Sequence, residues 1–138
     1  MPLPSLSSVL LVDDDSTTNY LNKLLLTTMG VAEQVLVAEN GEEALRTLSR
    51  TCPSADAPTC PRLILLDMNM PIMNGLAFLE AYTQLPLAQQ QAIIVVMLTT
   101  SLHERDLALA RTLPINDFLS KPLTREKVAS LLERYFTA

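Results

Sequence analysis

Short, continuously apolar runs alternate along this chain with longer stretches in which apolar residues return every third or fourth position. Five runs read as strands: residues 9–12 (VLLV), 34–38 (QVLVA), 63–66 (LILL), 93–98 (IIVVML) and 117–120 (DFLS). The middle runs have no polar alternation, as expected of strands covered on both faces. Between the runs, Leu21, Leu24, Leu25 and Thr28 trace one helical stripe, and Val128, Leu131, Leu132 and Tyr135 trace another. Each stripe is predicted to pack on the sheet. The alternation as a whole predicts a parallel sheet with helices on both sides.

Start and stop signals fall where this reading needs them. Asn40 to Glu43 and Ser101 to Glu104 both fit a capping box, Thr124 can cap the last helix, and Gly30 can end the first. Thr100 and Ser101 serve to open the helix after the fourth strand, and His103, the only histidine, falls in its first turn. Residues 50–61 carry prolines and no periodicity, which predicts an extended loop. The 16 residues after Pro122 suffice for one closing helix. At 138 residues without an internal repeat, the chain reads as a single domain, 1–138.

Composition narrows the setting. No run reaches the roughly 20 apolar residues of a membrane helix, and no basic flank marks a signal peptide, so a cytoplasmic location is expected. A net charge of −5 argues against direct nucleic-acid binding, since it repels a phosphate backbone. Cys52 and Cys60, with His103 as the only further candidate, cannot complete a structural zinc site. For a cytosolic chain two reduced loop thiols are expected in preference to a local disulfide.

In a parallel sheet with right-handed crossovers, functional groups gather at the carboxyl ends of the strands. The first run ends in Asp13, Asp14 and Asp15, the third in Asp67, the fourth in Thr99 and Thr100, the fifth in Lys121. The three acids could form a solvated turn with a helix cap, and Asp15 fits that role. Convergence of the other strand ends favours a site instead. Carboxylates crowded together need a compensating cation. Oxygen ligands alone suit Mg2+, which uses one or two carboxylates and keeps several waters. Asp13, Asp14 and Asp67 would then be balanced by Mg2+ and Lys121. Such a site suits phosphoryl transfer, with Asp67 as nucleophile and Thr99 and Lys121 holding phosphoryl oxygens.

The segments LVDDDS, LILLDMNMPIMNG, VVMLTTS and DFLSKPL, in this order and spacing, resemble the response-regulator receiver family over nearly the whole chain. The resemblance implies a flavodoxin-like, doubly wound, five-stranded parallel sheet of order 2-1-3-4-5 with five flanking helices, in a stand-alone receiver domain. It implies that Asp67 is the phosphoacceptor, Asp14 a direct Mg2+ ligand, Asp13 a ligand acting largely through water, and Asn69 a ligand through its backbone carbonyl. Thr99 resembles the switch hydroxyl, Lys121 the phosphate-pairing lysine, and Phe118 the aromatic that turns inward with Thr99. Phe118 also reads as an ordinary core ring on an alternating strand. A cis bond between Lys121 and Pro122 is implied as well. The partners implied are a histidine kinase or histidine phosphotransfer protein as donor and a downstream protein as target.

Residues 113–116, Leu-Pro-Ile-Asn, replace the small glycine-containing turn usual in the family, and the 50–61 loop is longer than usual. The expected role is a signalling phosphoacceptor that catalyses only its own phosphorylation and dephosphorylation. Two other classes share parts of the pattern. A small-molecule phosphohydrolase would also use an aspartyl phosphate, but would want a second carboxylate where Asn69 stands. A receiver-like binding module that is never phosphorylated would not need the intact acid, hydroxyl and lysine set.

Overall fold

A computed structural model describes residues 6–54, 56–68, 75–99, 108 and 112–136. Five strands, β1 (Leu6–Val12), β2 (Ala32–Ala38), β3 (Leu63–Asp67), β4 (Ile94–Thr99) and β5 (Asp117–Ser120), form one parallel sheet of order β2-β1-β3-β4-β5. The described helices are α1 (Ser16–Met29), α2 (Gly41–Thr51), α3 (Gly75–Tyr82), α4 (Leu87–Ala92) and α5 (Arg125–Phe136).

The continuous apolar runs are explained by a core on each side of the sheet. On one face Leu10, Val12, Ile64, Leu66, Val95 and Met97 pack with Ala44, Leu48, Phe78 and Tyr82 of α2 and α3. On the other, Val9, Leu11, Leu63, Leu65, Val96 and Leu98 pack with Leu26 of α1 and Val128, Leu131 and Leu132 of α5. Because successive strand side chains point to opposite faces, a strand sandwiched this way has no polar position to spare.

The local signals operate as read. Asp15 caps α1 by accepting from the Thr17 amide, and Gly30 ends that helix at φ 68°, a left-handed conformation suited to glycine. Asn40 caps α2 through the Glu43 amide at 2.8 Å, and Thr124 accepts from the Lys127 amide at 3.3 Å. The α5 stripe is as predicted, with Tyr135 at its half-buried end.

Two expectations need correction. The α1 stripe is rotated from the predicted one: Leu21 and Leu24 are 55% and 52% exposed and Thr28 is exposed, while Asn19 and Leu26 are buried. An asparagine whose amide finds a backbone carbonyl can face the sheet, and a hydrophobic count overlooks it. Cys52 and Cys60 are not reduced loop thiols: they form a disulfide, with Cα atoms 4.1 Å apart and both residues inside the core. The proline-containing loop folds back so that the end of α2 meets the approach to β3, a proximity that spacing along the chain does not encode. A short helix, α4, precedes β4 in a stretch for which the periodicity named no particular element. It is tied down by glutamines, since Gln89 donates to the Cys52 carbonyl at 3.0 Å and Gln90 to the Leu85 carbonyl at 2.7 Å. The capping box at Ser101 to Glu104, with Thr100 and His103, lies outside the described residues.

Candidate functional site

Parallel pairing brings the carboxyl ends of β1, β3, β4 and β5 to one edge. Asp67 pairs with Leu98 and Thr99 with Ser120, while the Lys121 amide donates to the Thr99 carbonyl at 2.9 Å and so starts level with the end of β4. Asp13 continues β1, its amide donating to the Ala38 carbonyl at 3.1 Å.

The Asp13 carboxylate is fixed at both oxygens. Oδ1 accepts from the Asp15 amide at 2.9 Å, and Oδ2 accepts from Lys121 Nζ at 2.8 Å. From α1, Asn19 Nδ2 donates to the Asp13 carbonyl at 2.7 Å, which holds the backbone of the turn. Lys121 Nζ also lies 3.3 Å from Asp67 Oδ1, so one ammonium bridges two carboxylates. Asp13 is 4% exposed and Asp67 7%, a degree of burial at which a bare charge would be costly and a shared cation becomes necessary. Burial by itself pulls the Lys121 ammonium down, but the hydrogen bond to Asp13 and the charge of Asp67 outweigh it and hold Lys121 above the ordinary lysine range. Asp15 does separate work: bonds from the Thr18 hydroxyl and the Thr17 amide hold its carboxyl below the usual range.

Asp14 is exposed, yet one carboxylate oxygen from each of Asp13, Asp14 and Asp67 falls within a mutual 4.8 Å. Three hard oxygen donors at that separation, open to solvent on the Asp14 side, fit a hydrated Mg2+. Asn69, the backbone ligand implied by the resemblance, lies outside the described residues. Thr99 is 1% exposed at the end of β4. Phe118 stands opposite Met97 and is half-buried against the core that holds α2 and α3. The Lys121–Pro122 peptide is cis, as implied.

Two features of the site went unassigned in the sequence. Gly75 opens α3 against the end of β3: a Cβ there would sit 2.7 Å from the Asp67 carbonyl oxygen, and the Gly75 amide donates to the Met68 carbonyl at 2.9 Å. A glycine at the close of LILLDMNMPIMNG was the available signal. The other is Asn19, whose polarity on an inward stripe marks it only once the helix phase is known. A cavity of about 610 Å3 lies at the opposite edge of the sheet, against Leu6, Arg62 and Ile94, remote from this chemistry.

Comparison with known proteins follows the same lines. The profile described as the response regulator receiver domain matches residues 9–133. A probable chemotaxis protein CheY of Rhizobium etli is 33% identical over 131 residues, covering 94% of this chain and 92% of its own. Two-component response regulator 24 of Arabidopsis thaliana is 30% identical over 136 residues, covering 96% and 88%. Among solved structures, a two-component response regulator from Cytophaga hutchinsonii superposes with a TM-score of 0.83 at 29% identity, covering 95% of this chain and 97% of its own.

Proposed function

Since this chain belongs to the response regulator receiver family of two-component signalling, we propose that it accepts a phosphoryl group on Asp67 from a histidine kinase or histidine phosphotransfer protein and passes the change to a downstream protein. The observation that carries this reading is the Lys121 ammonium shared between the buried carboxylates of Asp13 and Asp67, with Asp14 close by.

Asp13, Asp14 and Asp67 would hold Mg2+, with the Asn69 carbonyl as the family implies. The ion, when bound, supplies positive charge to the transferring phosphoryl oxygens. An Asp67 oxygen attacks phosphorus in line, the bond from phosphorus to the donor imidazole breaks, and the imidazole leaves with the electron pair and takes up a proton. Lys121 is already drawn to the oxygens of this site and pairs with the new dianion. Thr99, at the end of the neighbouring strand, donates its hydroxyl to a phosphoryl oxygen. The Thr99 movement biases Phe118 and the surface beyond it between two arrangements. The downstream protein reads that surface.

The donor protein reaches Asp67 past α1. There Tyr20, Leu21 and Leu24 leave an apolar face open, and a groove of about 320 Å3 runs from Leu21 to Lys121 and Pro122. No described helix is long and apolar enough to cross a membrane. We include a cytoplasmic location, where a reducing compartment would open the Cys52–Cys60 bond. Its role is that of a signalling phosphoacceptor and not of an enzyme turning over a separate substrate.

Incubation of the chain with Mg2+ and a small acyl phosphate, followed by intact-mass measurement, tests the reading. The native chain gains one phosphoryl mass, and Asp67→Asn gains none. Equal gain by both places the acceptor elsewhere, and no gain by either with small donor or kinase ends the proposal.

A further inference from the structure

Lys121 reaches two carboxylates at once only if its backbone is placed to within a fraction of its own reach. One side of that placement is the bond from its amide to the Thr99 carbonyl. The other lies in the turn where the chain leaves β5 for α5, and a second lysine closes it. Lys127 Nζ donates to the Ser120 carbonyl at 2.7 Å, to the Pro122 carbonyl at 2.9 Å and to the Ser120 hydroxyl at 3.3 Å. An ammonium has three donors, so all are committed to oxygens of the two residues that flank Lys121.

Lys127 is itself held. Its amide donates to Thr124 Oγ1 in the first turn of α5, and the next residue, Val128, is buried with Leu131 and Leu132 against the sheet. The ammonium therefore connects a helix anchored in the core to the turn that launches Lys121. Hydrogen bonds from a charged donor to carbonyl oxygens are stronger than those between neutral groups, which suits a clamp on a solvent-facing turn.

We propose that Lys127 is a positioning residue for the phosphoacceptor site: it holds the β5–α5 turn so that the Lys121 ammonium meets Asp13 and Asp67 together. It touches neither the carboxylates nor the phosphoryl group and acts through Lys121. The kinetic half of this inference rests on the phosphoacceptor reading above; the geometric half stands without it.

The test compares Lys127→Met, Lys127→Gln and Lys127→Arg with the native chain, and Lys127→Met again in a Lys121→Met background, each checked for a cooperative thermal melt. Two quantities are read: the side-chain carboxyl 13C resonances of Asp13 and Asp67 in metal-free protein, and the rate of phosphoryl gain with Mg2+ and a small acyl phosphate. Misplacing a reacting group by about 1 Å can cost on the order of a hundredfold in rate. For a partly loosened turn, Lys127→Met is expected to shift both resonances and slow phosphoryl gain about tenfold. The Mg2+ half-saturation should change by less than about twofold, because the carboxylates and not the turn hold the ion. Lys127→Arg recovers most of the rate and Lys127→Gln falls between; these two decide the matter should Lys127→Met fail to fold. In the Lys121→Met background, replacing Lys127 should change neither quantity, which is the signature of acting through a partner. Native resonances and rate in Lys127→Met overturn the proposal. So does an equal effect with and without Lys121, which would make Lys127 a general support of the fold. A native chain that never gains phosphate would instead sink the acceptor reading and leave the resonance comparison to judge Lys127.

Discussion

At the scale of single residues, the site's side chains are held by backbone groups as well as by one another. Asp13 is oriented by the Asp15 amide, its backbone is steadied by Asn19, and Asp67 sits on a strand end against which Gly75 is packed with no space for a methyl group. Gly75 is the sharpest place to test that dependence. Its nearest obstacle is the Asp67 carbonyl oxygen, a backbone atom that cannot rotate away, so Gly75→Ala must push α3 off the end of β3 or move the acceptor itself. Overpacking of this kind costs about 1–3 kcal/mol. The expected result is a lower urea midpoint, together with phosphoryl gain at Asp67 slowed by a larger factor than in a variant destabilised equally at a distance, such as Leu132→Val. Loss of stability with unchanged reactivity per folded molecule would show that the α3 junction is merely structural.

At the scale of elements, what was legible in the sequence is what periodicity and strand-end chemistry can carry. β5 stands where its run placed it, and the other four strands overlap their runs with ends extended or moved by one to three residues. The acid, hydroxyl and amine positions converge because parallel strands share a direction. The rotation of α1 was not legible, because one buried asparagine, whose side-chain nitrogen donates to the Asp13 carbonyl, outranks two leucines left outside. That phase predicts opposite outcomes for neighbouring leucines: Leu26→Ala, in a fully buried position, should cost about 2–5 kcal/mol, whereas Leu24→Ser should stay within about 0.5 kcal/mol of the native chain. Denaturant titration of the two variants decides it, and equal losses would return α1 to the predicted stripe. The pairing of Cys52 with Cys60 was illegible for another reason, since it follows from how α2 delivers its last turn against β3. Closing an eight-residue separation restricts the unfolded chain, a contribution of about 2–3 kcal/mol in the chain-entropy account. Adding a dithiol reductant should therefore lower the urea midpoint of the native chain and leave a Cys52→Ala, Cys60→Ala variant unmoved.

At the scale of the whole molecule, the chain carries a net charge of −5 and still collects its acids at one edge of the sheet. The arrangement holds because Lys121 stays protonated there, and that requirement sets a pH dependence whose sign can be worked out. The folded state raises the affinity of Lys121 for its proton above the reference value of 10.5 through Asp13 and Asp67, despite burial. Between the unfolded and folded values the native protein binds more protons than the unfolded chain, so stability falls as pH rises. The contribution of the pair is complete below 10.5 and disappears as pH climbs through the folded-state value. Tyr82, raised by burial, and Tyr135, raised by burial and by the charge of Asp117, act in the same direction from 10.0 upward. Urea midpoints measured from neutral to strongly alkaline pH should thus hold steady and then drop. In Lys121→Met the neutral-pH midpoint should already be lower, because two buried carboxylates have lost their shared cation, and the alkaline drop should shrink to the part the tyrosines supply. An undiminished drop in that variant would mean that the tyrosines alone govern the alkaline limit and that the Lys121 bridge contributes little to holding the acidic edge together.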